Sequence, residues 1–189
     1  MTLENIYYVG QTIAVVAILL SLLAVIRQLQ QSQKMERAAA QRDLLLRVSE
    51  WGRMTGANHG DIDRFVQGMV EYDGADALTQ LFMDKAFSEF VFVAESALNM
   101  RRDGFFSDGT WAGIEGATLG LLRTPGGKQW WVYGQQVIGT EIVEHLKKRL
   151  TQVPEDAPTF LDWWPSYRNR LKELEALKSS GPPAGATAV

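Results

Sequence analysis

An uncharged hydrophobic run near the N-terminus dominates the pattern of the chain: IYYVGQTIAVVAILLSLLAVI, residues 6–26. As an α-helix it would be about 30 Å long, which matches one hydrocarbon core. Tyr7 and Tyr8 stand where membrane helices carry an aromatic belt, and Arg27 ends the run. MTLEN lacks the basic residues of a signal peptide, and no small-residue cleavage site follows the run. A buried core helix rarely stays uncharged for so long, so the pattern predicts a transmembrane helix.

Beyond this run, helical periodicity alternates with breaks that contain glycine or proline. Residues 27–54 are good helix formers, polar at first and apolar towards the end, and TGANHG at residues 55–60 interrupts them. Further helices are predicted over residues 61–71 and about 77–102. The second of these is expected to bury Leu81, Phe82, Phe87, Phe90, Val91, Ala94, Ala97 and Leu98.

Local signals mark the ends of the remaining helices. Gly104 is predicted to stop the helix before it, and Asp108 to cap the next one. Thr124 is expected to cap a further helix with Pro125 at its first position, and Thr140 a last body helix ending near residue 151. QWWVYGQQVIGT, residues 129–140, has strand-like composition, but no second strand-like segment lies nearby to pair with it. We therefore predict a short helix and a loop there.

These elements predict an all-α protein: one N-terminal transmembrane helix continues into a stalk helix, and an antiparallel helical bundle follows. The expected divisions are the N-terminus and span (1–26), a basic juxtamembrane stalk (27–55) and a helical body (56–152). An aromatic strap with a C-terminal amphipathic helix (153–178) follows, and the tail SSGPPAGATAV (179–189) is predicted to be disordered.

The stretch LLRTPGGKQWW, residues 121–131, places two glycines before Lys128, as a phosphate-binding loop would. A Walker A loop also needs a glycine where Leu122 stands, a serine or threonine where Gln129 stands, and a preceding strand. A helical pattern precedes the stretch instead. We interpret it as a corner between two helices, with a weak anion site at the second helix as the alternative.

The aromatic strap, TFLDWWPSY at residues 159–167, concentrates four aromatic side chains: Phe160, Trp163, Trp164 and Tyr167. Two interpretations remain open. The strap packs on the helical body, or these four residues form a contact surface for a partner or for the membrane interface.

The 189 residues carry a net charge of only -3, which gives no indication of nucleic-acid binding. The charge is uneven, since residues 27–47 carry five basic and two acidic side chains. This basic neck predicts that the body is cytoplasmic and the N-terminus outside, with the bacterial inner membrane as the expected location. Arg27, Lys34 and Arg37 are the candidate contacts to lipid headgroups.

The predicted span carries its small residues at spacings of four, three, four and three: Gly10, Ala14, Ala17, Ser21 and Ala24. Such a stripe lets two membrane helices approach closely. It predicts that the span contacts another transmembrane helix, either a second copy or part of a host membrane complex. Alanine and serine are also ordinary residues of membrane helices, which is the alternative.

No group of residues predicts a catalytic, metal or cofactor site. The chain has no cysteine, and His59 in NHGDID fits a capped surface turn better than a metal site. Glu89, Glu95 and Glu115 interrupt apolar helices and are expected in structural ion pairs, with Arg101, Arg102 and Arg123 as candidate partners. We therefore expect no enzyme activity.

A family resemblance rests on the uncharged span, the Gln/Arg-rich helix, FSEFVFVAESALNMRRDG and LLRTPGGKQWW. Its markers are Glu89 or Glu95, Gly104, Trp111, Pro125, Gly126 and Trp130. The chain resembles, over roughly residues 6–150, a broad group of bacterial single-pass membrane proteins of unknown function with a cytoplasmic helical domain. The resemblance implies architecture and topology, and no activity or site residue comes with it.

The expected function is a membrane-tethered helical interaction module, an accessory or scaffold subunit of a larger membrane complex. The alternative is a membrane-anchored sensor or regulator that binds a small ligand in its helical body. A ligand site should show a cavity with aromatic walls and a few convergent polar groups.

Overall fold

The structure is a computed structural model that describes residues 3–179, without the side chains of residues 4–6 and 178. Within this range it contains eight helices and no strand, which confirms the all-α class. The helices are α1 (Leu3–Thr55), α2 (His59–Val70), α3 (Ala77–Arg102), α4 (Asp108–Leu122), α5 (Pro125–Gly134), α6 (Thr140–Leu150), α7 (Phe160–Trp163) and α8 (Pro165–Ser179). The predicted disordered tail lies outside the described residues, apart from Ser179.

The chain divides into two compact units, one ending at Asp43 and one beginning at Leu44. The first unit consists of the N-terminal part of α1. An 18-residue window in α1 has a mean hydropathy of 2.5, and none of it is buried. By length and composition, this helix is long and apolar enough to cross a membrane.

Side-chain caps begin most helices of the second unit. Asn58 accepts a hydrogen bond from the Asp61 amide at the start of α2, and Asp76 accepts from the amides of Leu78 and Thr79 at the start of α3. Gly104 ends α3 with a φ of 73°, a left-handed conformation that favours glycine, as predicted.

Two predicted caps are wrong by one residue. Ser107, not Asp108, caps α4, because its hydroxyl accepts from the Thr110 amide while Asp108 accepts from Arg101. Gly139, not Thr140, is the N-cap of α6 and makes no side-chain capping bond. A Cβ at Gly139 would overlap the carboxylate of Glu95, so a side chain there would require Glu95 to move.

The core of the second unit is aromatic at its centre. The Trp51 ring lies 4.6 Å from that of Phe90 and 5.6 Å from that of Phe65, and its indole N–H donates to the Ala86 carbonyl at 2.7 Å. These contacts join the end of α1 to α2 and α3. The expectation that Leu81 is buried is wrong: it is 67% exposed on the outer face of α3.

Helices α2 and α5 approach most closely at two glycines. A Cβ on Gly126 would overlap the Gly68 carbonyl group and lie 3.0 Å from the Met69 carbonyl carbon. Both glycines are buried. This contact holds the corner between α4 and α5 directly against α2.

Candidate functional site

The predicted partner stripe lies on the N-terminal part of α1. Gly10, Ala14, Ala17, Ser21 and Ala24 are all exposed, and a Cβ at Gly10 would meet no other atom within 4 Å. The stripe is therefore open along the helix within the first unit.

The predicted headgroup contacts follow the stripe along the same helix. Arg27, Lys34 and Arg37 are exposed and extend from α1 after the last residue of the uncharged run. Their charges are thus accessible, as an electrostatic contact with lipid phosphates requires.

Half of the aromatic strap is part of the core. The Phe160 ring lies 6.1 Å from that of Trp51, 6.2 Å from that of Phe65 and 6.0 Å from that of Tyr167, on which it stacks. Phe160 is buried and Tyr167 is half-buried, and burial raises the pKa of the Tyr167 hydroxyl. Phe160 therefore has little surface left to offer a partner.

The two tryptophans form the outer half of the strap. Trp163 is 42% exposed and Trp164 is 53% exposed. One edge of the Trp163 ring lies on Gly120 of α4, where an added Cβ would lie 2.8 Å from Cζ3 and still closer to Cη2. Trp163 and Trp164 are the strap residues that remain available for a partner contact.

Arg123 holds the loop that leads from α6 to the strap. Its guanidinium donates to four backbone carbonyls: those of Pro154 (2.8 Å), Glu155 (3.2 Å), Ala157 (2.6 Å) and Pro158 (3.2 Å). It therefore pairs with none of the three predicted carboxylates. Because those carbonyls belong to no helix, the arginine supplies the hydrogen bonds that secondary structure otherwise provides.

Helix α8 is fixed to α2 by a bidentate ion pair. Arg170 donates to both carboxylate oxygens of Asp63, from Nε at 2.7 Å and from Nη2 at 3.0 Å, and it also contacts Glu173. The hydrogen bond from Arg170 lowers the pKa of Asp63 below its ordinary value. Leu174 is buried on the same side of α8, whereas Leu177 is exposed.

The glycine-lysine stretch is a corner between α4 and α5. Thr124 caps α5 by accepting from the Gly127 amide at 3.0 Å, and Pro125 occupies the first helical position, as predicted. Gln129 accepts from the backbone amides of Tyr72 and Asp73, which ties the corner to the end of α2. The Lys128 side chain is exposed, and its ammonium group has no hydrogen-bond or ion-pair partner within residues 3–179.

Of the three carboxylates, Glu115 is the buried one, and its partners differ from those predicted. It accepts from Arg149 at 3.0 and 3.2 Å and lies 2.6 Å from the Nε2 atom of His145. Arg101 instead pairs with Asp108, and Arg102 with Glu141. The expected ion pair is present at Glu115, and it joins α4 to α6.

A second polar cluster, around Asp84, is not predicted by the sequence pattern. Asp84 on α3 accepts from the Tyr72 hydroxyl at 2.6 Å and from the Trp130 indole N–H at 3.1 Å. Burial and the hydrogen bond to Asp84 raise the pKa of the Tyr72 hydroxyl. Both donors have an acceptor, and the cluster links α3 and α5 to the loop between α2 and α3. No set of three metal-binding side chains occurs among the residues that the structure describes.

Two of the cavities on the surface of the second unit are larger than the one of about 270 Å³ between α2 and α8. One of about 480 Å³ lies among the end of α1, the start of α2 and α3, with Trp51, Met54 and Phe82 as apolar walls and Glu89 exposed at its edge. The other, of about 350 Å³, is here named the Lys128 cavity. It is lined by Leu122, Trp131, Leu150 and Val153 together with Arg123, Lys128 and Glu155.

Comparisons with known proteins give no match to a family model, to a curated protein or to a solved structure.

Proposed function

We propose that the chain is a membrane-tethered helical interaction module, an accessory or scaffold subunit of a larger membrane complex. The observation that carries the proposal is the uncharged segment of α1, which is exposed from Tyr7 to Ile26. An apolar helix of this length needs a bilayer or a protein partner to cover it.

The proposed topology places the N-terminus outside and the body in the cytoplasm of a bacterial inner membrane. The support is the excess of basic residues in the stretch that follows the span. The predicted helical bundle forms the body in this proposal, and the stalk stands between it and the span.

The proposed partner is another transmembrane helix that contacts the small-residue stripe. The stripe has no bulky side chain, so a second helix could pack closely against it. The exposed tryptophans of the strap provide a further contact surface on the body, since aromatic side chains of this kind anchor protein interfaces.

Two measurements on the full chain test this proposal. Membranes that contain it are washed with alkaline carbonate, which a spanning helix resists and a peripheral protein does not. Partners are then captured by cross-linking in the membrane before solubilisation in mild detergent. Loss of the chain into the carbonate wash would contradict the tether.

Variants of the span distinguish the stripe from the rest of the chain. Replacing Ala17 and Ser21 with isoleucine fills the stripe but keeps the segment apolar, so cross-linking to the partner should fall sharply. The matched control replaces Val15 and Val16, on the opposite side of the helix, with isoleucine and should leave cross-linking unchanged. If the two double variants cross-link to the partner equally, the partner must contact another part of the chain.

The second candidate function is a membrane-anchored sensor whose body binds a small ligand. The two surface cavities favour it, since each has apolar walls and charged groups at its edge. Thermal unfolding of the full chain against a set of metabolite-like compounds tests this alternative, because a ligand that binds the folded state raises the melting temperature.

A further inference from the structure

The Lys128 cavity combines apolar walls with polar donors that have no partner. Among the lining residues, Leu122 is buried, and Trp131, Leu150 and Val153 are half-buried. Its volume of about 350 Å³ lies at the lower end of the range for small-molecule sites, about 300–1,000 Å³. The larger cavity beside Trp51 has charges of both signs at its edge, and two of them, Glu50 and Arg53, already pair with each other.

Two donors of the Lys128 cavity are unused. Neither the Lys128 ammonium group nor the Trp131 indole N–H has a hydrogen-bond partner in the described part of the chain. Arg123 adds a second positive charge, although its Nη groups already donate to the loop carbonyls. The lining holds Arg123 and Lys128 with a single acid, Glu155, so it carries a net positive charge.

We propose that the Lys128 cavity binds a small organic anion with an apolar body, an aromatic carboxylate being the simplest case. The apolar body packs against Trp131 and the aliphatic walls, and the carboxylate accepts from Lys128 and from the Trp131 indole N–H. Charge complementarity selects the class of ligand, because a cation of the same shape would meet Lys128 and Arg123. The inference gives the sensor alternative a ligand class and depends on neither the span nor the strap, so either proposal can fail alone.

The test uses the full chain in mild detergent with its tryptophans replaced by 5-fluorotryptophan. The chain has six tryptophans, and the Trp131→Phe variant identifies the fluorine resonance of Trp131. The probe is 1-naphthoate, and the neutral control is 1-naphthalenemethanol, which has the same ring system without the charge. We expect 1-naphthoate to shift the Trp131 resonance saturably, and the alcohol to bind more weakly.

Charge variants give the sharpest prediction. Lys128→Gln should weaken binding of 1-naphthoate about three- to tenfold, as expected for one partly solvated charged hydrogen bond. Glu155→Gln should strengthen it about two- to threefold, because it removes the repelling carboxylate. Lys85→Gln, which removes an exposed lysine of α3 outside the cavity, is the matched control and should have no effect.

A second kind of variant tests the apolar walls. Val153→Phe fills the cavity from its edge and should abolish the shift without lowering the melting temperature, since Val153 is only half-buried. The proposal is overturned if 1-naphthoate leaves the Trp131 resonance unmoved up to roughly millimolar concentration. It is equally overturned if Lys128→Gln and Lys85→Gln weaken binding to the same extent.

Discussion

The contact between Trp163 and Gly120 can be tested by adding a single methyl group at position 120. Helix α4 carries glycines at positions 113 and 120, and a Cβ at Gly113 would meet nothing within 4 Å. A Cβ at Gly120 would instead lie 2.8 Å from Cζ3 of Trp163 and closer still to Cη2. The same substitution to alanine therefore has opposite consequences at two sites of one helix.

The magnitudes follow from helix propensity and from packing. Gly113→Ala should stabilise the protein by about 0.5–1 kcal/mol, because alanine loses less backbone entropy in a helix than glycine does. Gly120→Ala gains the same amount, but overpacking against the Trp163 ring costs about 1–3 kcal/mol. The two variants should differ by about 1–3 kcal/mol, or roughly 2–12 °C in melting temperature for a chain of this size.

Thermal unfolding of the full chain in mild detergent, followed by circular dichroism, measures this difference. In a Trp163→Ala background the ring is absent, and Gly120→Ala should then stabilise the protein as much as Gly113→Ala does. The reasoning is refuted if Gly120→Ala raises the melting temperature like Gly113→Ala while Trp163 is still present. The Trp163 ring would then not lie on α4.

Further predictions concern single residues and the topology. Glu115→Gln should lower the free energy of unfolding by about 1–3 kcal/mol, because it removes the buried carboxylate that the half-buried Arg149 and His145 contact. Glu144→Gln on the exposed face of α6 should change it by less than about 0.5 kcal/mol. Because the pKa of Asp63 is lowered in the folded state, its ion pair contributes stability above the ordinary aspartate pKa of 3.8 and loses it as the pH falls through the lower folded value; urea unfolding between pH 5 and pH 2 should therefore show a smaller acid loss in Asp63→Asn. Lys128→Ala should change stability by less than about 0.5 kcal/mol, and ATP or GTP should leave the melting temperature unchanged; a nucleotide effect that disappears in the variant would restore the phosphate-loop interpretation. An alkaline phosphatase fused to the C-terminus should be inactive in cells, and an active fusion would reverse the proposed topology.

Most helices could be predicted from the sequence because their ends are encoded locally. Gly104, Thr124 and Pro125 act through their own backbone preferences, and the structure places all three as expected. The two misplaced caps show where local signals fail. Ser107 and Asp108 are both good capping residues, and in the structure Ser107 caps the helix while Asp108 pairs with Arg101.

The partners of the buried carboxylate could not be predicted from spacing within one helix. Glu115 lies 30 residues from His145 and 34 from Arg149. A signal was nevertheless present, since His145 and Arg149 are four residues apart and share one face of α6. The exposure of Leu81 shows a second limit: helical periodicity marks an apolar stripe but does not say how much of it a neighbour covers.

The four carbonyl contacts of Arg123 have a consequence for proteolysis. The loop VPEDAP has the composition of an exposed linker, and a protease that cuts after Glu155 must draw it into an extended shape. The guanidinium holds that backbone in place, so cleavage requires all four hydrogen bonds to open first. A lysine has three donors on a flexible stem and cannot reproduce the planar fork. The rate of proteolytic cleavage at Glu155 therefore reports how often the loop separates from the body.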